Sequence, residues 1–257
     1  MRIKLTYEAL EKDKIVLPAH YNYHIHGLIY RTFSNELADR LHDGGFLVGK
    51  RRFKLFTFSR ILEMGKLIKT GKDAKLIFDR KISFYFSSPV ETITADLGEM
   101  SFKRREFILC GQKIYLSQLE VMTPPRVKER LLIKALSPVT VYSTFKKDDN
   151  EKVFHYYKPY EEGFQKLIEE NAKKKYRIVY EKEPDGLSLS IKPYRFSVEK
   201  NHSVIFFKNN PIEGWTGIYE LTGSPELIAV TYEAGLGCKN SEGFGMWEIW
   251  RGGEKDA

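Results

Sequence analysis

Read along the chain, strand-like and helical stretches follow the order β-α-β-β-α-β twice, which predicts an α+β fold of tandem ferredoxin-like (RRM-like) domains. Three observations carry this. Alternating apolar positions return after each helical stretch, the second half repeats the plan of the first, and Thr123-Pro124-Pro125 separates the halves with an extended, donor-poor connection. A chain of 257 residues also exceeds what one core usually fills, so division into 1–123 and 124–257 is expected.

Residues 1–7 alternate as a strand, and Leu17-Pro18-Ala19-His20-Tyr21-Asn22 reads as a loop leading into a helix. Apolar positions 25, 28, 29, 33, 37 and 41 keep helical spacing, with a break at Ser34-Asn35 where Asn35 can cap a second helix that Asp43-Gly44-Gly45 ends. Strands are expected at 54–59, 74–78 and 82–86, then a helix with Ser88 as cap and Pro89 at its first position, then strands at 106–109 and 113–121. In the second half, 126–143 reads as a strand broken by Ser137-Pro138, 160–175 as an amphipathic helix and 176–207 as several strands. Ser224-Pro225-Glu226 opens the last helix, Gly235 ends it as a left-handed cap, and 246–251 is the final strand. The run Lys173-Lys174-Lys175 fits a solvated last helical turn better than a phosphate grip.

Composition narrows the function classes. The net charge of +8 favours a polyanionic partner, and it is uneven: residues 1–125 carry +7 and residues 126–257 carry +1. Cys110 and Cys238, the only cysteines, match neither a disulfide framework nor a CxxC zinc spacing. No signal-peptide core and no apolar run of membrane length is present, so a cytoplasmic protein without a membrane partner is expected.

The densest motif is Gly235-Leu236-Gly237-Cys238-Lys239-Asn240-Ser241-Glu242-Gly243-Phe244-Gly245. It lacks the third glycine of a dinucleotide fingerprint and the Gly-Lys-Ser/Thr of a Walker loop. Its glycines permit close approach to a phosphate chain, and Lys239, Asn240 and Ser241 are candidate phosphate contacts; the plain alternative is a loop with glycines for tight turns. From Tyr232 to Met246 this segment resembles the C-terminal signature of the CRISPR-associated repeat-processing endoribonucleases, the Cas-six family. Asn22 to Tyr30, Lys54-Leu55-Phe56-Thr57-Phe58-Ser59 and Leu136-Ser137-Pro138 resemble the same family, the last its opening into the second domain. The resemblance spans both halves in order and implies tandem ferredoxin-like folds, with RNA along the cleft and faces of the two domains.

RNA carries its own nucleophile, the 2′-hydroxyl. Cleavage to a 2′,3′-cyclic phosphate and a 5′-hydroxyl therefore needs a base, an acid and a cation, and no metal or other cofactor. Matched by motif, the resemblance places the catalytic residues on Tyr30, His42 and Lys54. Histidine changes charge near neutrality, so His42 suits acid or base; Lys54 suits a fixed cation; Tyr30 can orient the 2′-hydroxyl or donate to a phosphate oxygen. Which of Tyr30 and His42 deprotonates the 2′-hydroxyl stays open. His26, one helical turn before Tyr30, is a further candidate. Zinc binding by His24 and His26 lacks a second ligand pair. The plain readings are a packing tyrosine, a histidine capping a helix end and a solvent-facing lysine.

Lys50-Arg51-Arg52 and Lys103-Arg104-Arg105 are candidate phosphate contacts in the basic half, beside Gly235, Gly237, Gly243 and Gly245 of the glycine-rich segment. The expected partner is CRISPR repeat RNA, with a CRISPR interference complex as a further one and a monomer or homodimer as the working state. The competing function is a non-cutting RNA-binding subunit of such a complex. A generic RRM pair fits less well because an RNP1-like aromatic motif is missing.

Overall fold

The computed structural model of the protein describes residues 1–49, 51–70, 73–146 and 152–252. Two antiparallel sheets dominate it. The first runs Thr57–Phe58, Lys81–Ser87, Arg2–Ala9, Gln112–Met122, Phe107–Leu109 across its width. The second runs Leu189–Tyr194, Ile218–Gly223, Arg130–Ala135, Trp247–Ile249. Leaving aside the short edge strand at 107–109, each sheet places its first strand in chain order between its third and fourth, the ferredoxin-like arrangement. The fold is thus α+β with tandem ferredoxin-like units, as the element order predicts.

Helices α1 (Asn22–Thr32), α2 (Asn35–Asp43) and α3 (Glu91–Lys103) accompany the first sheet; α4 (Glu162–Tyr180), the short α5 (Val198–Asn201) and α6 (Pro225–Ala234) accompany the second. Alternation explains the first core: Ile3, Leu5 and Tyr7 of one strand and Ile82, Phe84 and Phe86 of its neighbour are buried, and Ile25, Leu28, Ile29 and Leu97 of the helices close over them. Ile133, Tyr219 and Leu221 meet Phe164, Ile168 and Leu227 in the second core. Fully burying each such side chain contributes about 1.5–3 kcal/mol, so these stripes fix the register of both sheets.

Several boundaries move for local reasons. Ser34, not Asn35, caps α2, its Oγ accepting from Leu37 N at 3.4 Å. Ser88 does not open α3, which starts at Glu91; its hydroxyl accepts from Val90 N and donates to the Leu55 carbonyl, bracing the turn before the helix. The strand expected over 54–59 shrinks to Thr57–Phe58, because Leu55 has φ 53° and turns the chain. Helix α4 continues to Tyr180 and so takes the start of the 176–207 stretch expected as strands. Gly235 does end α6 with a positive φ, but its φ 82°, ψ 156° lies outside the left-handed helical region.

Among the described residues, three two-stranded hairpins stand outside these sheets, Phe46–Val48 with Arg51–Phe53, Tyr142–Lys146 with Lys152–Tyr156, and His202–Phe207 with Asn210–Trp215, beside a three-stranded sheet of Ile15–Pro18, Asp73–Phe78 and Lys66–Thr70. The first two flank the candidate site. Among the described residues, no helix is long and apolar enough to cross a membrane.

Candidate functional site

Four stretches far apart in sequence meet in one knot. The Asn22 amide on α1 donates to the carbonyls of Glu242 and Gly243 at 2.9 and 3.2 Å, and its oxygen accepts from Arg60. Thr57 Oγ1 donates to the Phe244 carbonyl at 3.0 Å. Gly245 N donates to the Pro138 carbonyl, and Met246 N to Ser137 Oγ. Glycine is required at two of these positions: a Cβ on Gly243 (φ 86°) would lie 2.4 Å from the Phe58 ring, and one on Gly245 (φ 79°) would lie 2.0 Å from the Leu236 carbonyl oxygen. The stretches at 22–30, 54–59, 136–138 and 235–245 therefore form a single interlocked joint between the two sheets.

The glycine-rich segment is built around a lysine that its sequence neighbours disguise. Lys173 and Lys174 pair with Glu169 and Glu170 at the surface, whereas Lys175 is fully buried. Its Nζ donates to the carbonyls of Gly235 and Gly237 at 2.6 and 2.9 Å and to Asn240 Oδ1 at 2.7 Å, giving each ammonium hydrogen an acceptor. Burial still pushes its pKa down to about 7. Asn240 Nδ2 bonds in turn to the carbonyls of Leu236 and Phe244. The Asn240 amide and the buried Gly235, Gly237, Gly243 and Gly245 thus serve the loop's own architecture. Lys239, paired with Glu242 at 3.1 Å, and the half-buried Ser241 face the cleft beside it. The signal for Lys175 lay in the stripe 164, 168, 172, 175, which puts it on the buried face of α4.

Two of the three sequence-predicted catalytic residues touch. Lys54 Nζ donates to the main-chain carbonyl of His42 at 3.0 Å. Burial, and then the nearby Arg52 guanidinium, hold the Lys54 ammonium below its ordinary pKa. The positive φ at Leu55 turns Lys54 outward while Phe56 enters the core. The His42 ring is 81% exposed at the end of α2, with Nδ1 3.0 Å from Asp43 Oδ1. Tyr30 approaches from α1 and packs its ring 6.0 Å from Phe56; among the described residues no hydrogen bond joins it to His42 or Lys54. Burial raises its phenol to about 12, so it stays protonated. His26 stacks on Tyr30 with centroids 4.6 Å apart and rings 12° from parallel. Burial, followed by the charges of Lys208 and Arg31, lowers it to about 4, which keeps the ring neutral.

A cleft of about 690 Å³ opens beside Lys54. Arg51, Arg52 and Lys54 line one side; Tyr142, Lys175 and residues 238–242 line the other. Arg52 also donates to the Asp43 carbonyl, tying the first hairpin to the end of α2. Lys50 lies outside the described residues. Lys103, Arg104 and Arg105 stand elsewhere, at the end of α3, with Lys103 paired to Glu99 at 2.5 Å. Of the sequence-predicted basic clusters, Arg51 and Arg52 line the cleft and Lys103, Arg104 and Arg105 do not. Among the described residues no group of three or more His, Cys, Asp or Glu is placed to hold a metal ion.

Comparison with known proteins agrees with this architecture over residues 16–249. The family model described as CRISPR-associated protein Cas6, N-terminal, matches residues 16–120, and that described as CRISPR associated protein Cas6, C-terminal, matches residues 121–249. The CRISPR-associated endoribonuclease Cas6 of Pyrococcus furiosus is 27% identical over 97% of this chain and 90% of its own. The CRISPR-associated endoribonuclease Cas6 1 of Methanocaldococcus jannaschii is 27% identical over 96% and 91%. A solved structure of a Cas6-related gene product from Pyrococcus furiosus superposes with a TM-score of 0.82 at 22% identity, covering 98% of this chain and 99% of that one, which shows the shared fold. Two family models that together run from residue 16 to 249 settle the point: the chain belongs to the CRISPR-associated Cas6 family.

Proposed function

We propose that this chain is a metal-independent endoribonuclease that binds CRISPR repeat RNA and cuts precursor transcripts into guide RNAs in the cytoplasm. The 2′-hydroxyl attacks the adjacent phosphorus, the bond to the 5′-oxygen breaks, and the products carry 2′,3′-cyclic phosphate and 5′-hydroxyl ends. One observation carries the reading: the Lys54 ammonium is held by the His42 carbonyl at the rim of a basic cleft built from both halves of the chain. The names of the two relatives as endoribonucleases support it.

The residues divide the work by their environments. Lys54, a fixed cation, stabilises the charge that develops on the phosphorane oxygens. The exposed His42 ring is free to reach the scissile bond and move a proton, either from the 2′-hydroxyl or to the departing 5′-oxygen. Tyr30, protonated and half-buried, is a donor to the 2′-hydroxyl or a phosphate oxygen rather than a base. Neutral His26 buttresses the Tyr30 ring. Residues 1–123 supply this chemistry as one domain, and residues 124–257 supply the opposite cleft wall as the other.

The test is single-turnover cleavage of a repeat RNA in excess chelator by the parent, His42→Ala and Lys54→Ala proteins, with RNA binding measured alongside. The reading requires cleavage by the parent and its loss in both variants while binding persists. A parent protein that holds repeat RNA tightly and intact is instead a non-cutting subunit of an interference complex.

A further inference from the structure

The second hairpin, Tyr142–Lys146 with Lys152–Tyr156, presents two different faces. Its register pairs Tyr142 with Tyr156 and Thr144 with Phe154, so these four side chains share one face of the ribbon. Ser143, Phe145, Val153, His155 and Tyr157 share the other. Tyr157 anchors one end of that second face against the core, its ring pressed on Gly163 where a Cβ would sit 2.3 Å away, while Phe145 at the far end is exposed. The first face is covered only in part: Tyr156 packs on the cluster of Ile205, Phe207, Ile212 and Phe244, and Lys239 Nζ lies 5.9 Å from the Tyr142 ring centroid, while Phe154 stays open. Tyr142 and Thr144 line the cleft beside Lys54, and Phe154 stands 51% exposed with its ring 5.5 Å from Tyr142 at an interplanar angle of 75°. Tyr156 lies 5.5 Å from Tyr142 on the other side and donates to the Pro211 carbonyl at 3.3 Å, which fixes the group in place.

The rest of the cleft identifies what covers these rings. Arg51, Arg52 and Lys54 line it, which suits phosphate. Its other wall carries the Tyr142 ring, which offers a base a face to lie on rather than a phosphate a charge. Cations and the Tyr142 ring in one cavity of about 690 Å³, with the exposed Phe154 against Tyr142, match the phosphate and the base of a nucleotide.

We propose that Phe154 and Tyr142 form a stacking platform for one unpaired nucleobase of the RNA, in the cleft that begins at Lys54. The subsite rests on the endoribonuclease reading and deepens it: the RNA next to the cut is single-stranded when bound, because a paired base has no free face to offer. Arg51 and Arg52 hold its phosphates. The recognition is tolerant of sequence, since every base has a face to stack.

Fluorescence of 2-aminopurine placed on either side of the cleavage position of a repeat RNA reads stacking directly, and the same titration gives affinity. The parent protein is expected to quench the probe in unpaired RNA. Phe154→Ala should weaken binding of that RNA about tenfold and abolish the quench, as expected for the loss of one stacked base. Phe154→Leu, which keeps an apolar side chain on the hairpin but has no ring, should behave the same way, and Phe154→Trp should restore both signals. Binding of a fully paired RNA duplex should be unchanged in all three. Leu and Ala variants that bind and quench like the parent overturn the subsite alone, as does an equal loss for paired and unpaired RNA. A Phe154-dependent dimer with unaltered RNA binding also overturns it, since a second copy would then be what covers the rings. A parent protein that binds neither RNA overturns the function reading together with the subsite.

Discussion

The Nζ of Lys54 donates to the main-chain carbonyl of His42 at 3.0 Å, so the backbone of one proposed catalytic residue aims the side chain of another. Lys54→Ala removes the cation and that tether together. Its cleavage rate is expected to fall at least ~10²-fold, comparable with loss of one donor that stabilises a transition-state oxyanion. RNA affinity should change only a few-fold, which equilibrium filter binding checks.

Asn22 carries the joint between the halves. Asn22→Ala leaves the Glu242 and Gly243 carbonyls and the Arg60 guanidinium without their shared partner. The expected loss is about 1–3 kcal/mol for the unmet buried groups, which in a chain of this size lowers Tm by about 2–4 °C per kcal/mol. Differential scanning calorimetry reads it.

Lys175→Met tests the core of the glycine-rich loop. Three neutral oxygens now bonded to its ammonium would face a thioether, and the expected destabilisation is about 1–3 kcal/mol, the cost of leaving a buried acceptor unmet. Urea unfolding is the measurement. Cleavage should fall with the folded fraction, because Lys175 supports the cleft wall from behind.

The sequence made the two-unit fold legible because its apolar periods are strong: the alternation over 82–86 and the helical stripe 25, 28, 29 each become buried faces. It misled wherever a tertiary partner outweighed local preference. Ser88 has cap chemistry but is used by the Leu55 carbonyl, and Leu55 interrupts an apparent strand with a positive φ that no composition rule announces. The site was legible only in part. Lys54 and His42 came from motif likeness and turn out to touch, whereas the partners of Asn22 and Lys175 lie 38 to 221 positions away and are not readable from spacing. Lys103, Arg104 and Arg105 look like Arg51 and Arg52 in sequence, yet at the end of α3 they stay out of the cleft lining.

His26 gives a pH signature. Its pKa falls from an ordinary 6.5 to about 4 in the folded chain, through burial and then the Lys208 and Arg31 charges. The unfolded chain takes up this proton first as pH drops, so stability is complete above about pH 6.5 and lost progressively towards pH 4. The amount is about 3 kcal/mol for a shift of this size. His26→Phe, which keeps a ring against Tyr30, should flatten that part of the stability profile.

Arg51 and Arg52 in the cleft should hold phosphate. Replacing both with alanine is expected to weaken RNA binding and reduce the slope of log K against log salt by about 1.4, for two lost contacts to a single strand. Titrations at several salt concentrations check it.

The central claim is that this chain cuts RNA with its own side chains and the RNA's 2′-hydroxyl. End-group analysis of repeat RNA incubated with the purified protein in excess chelator tests that claim most directly. Products ending in 2′,3′-cyclic phosphate and beginning with 5′-hydroxyl are expected, and they should be absent when His42 or Lys54 is alanine. Products with 3′-hydroxyl and 5′-phosphate ends, or RNA recovered intact from a tight complex, would contradict it.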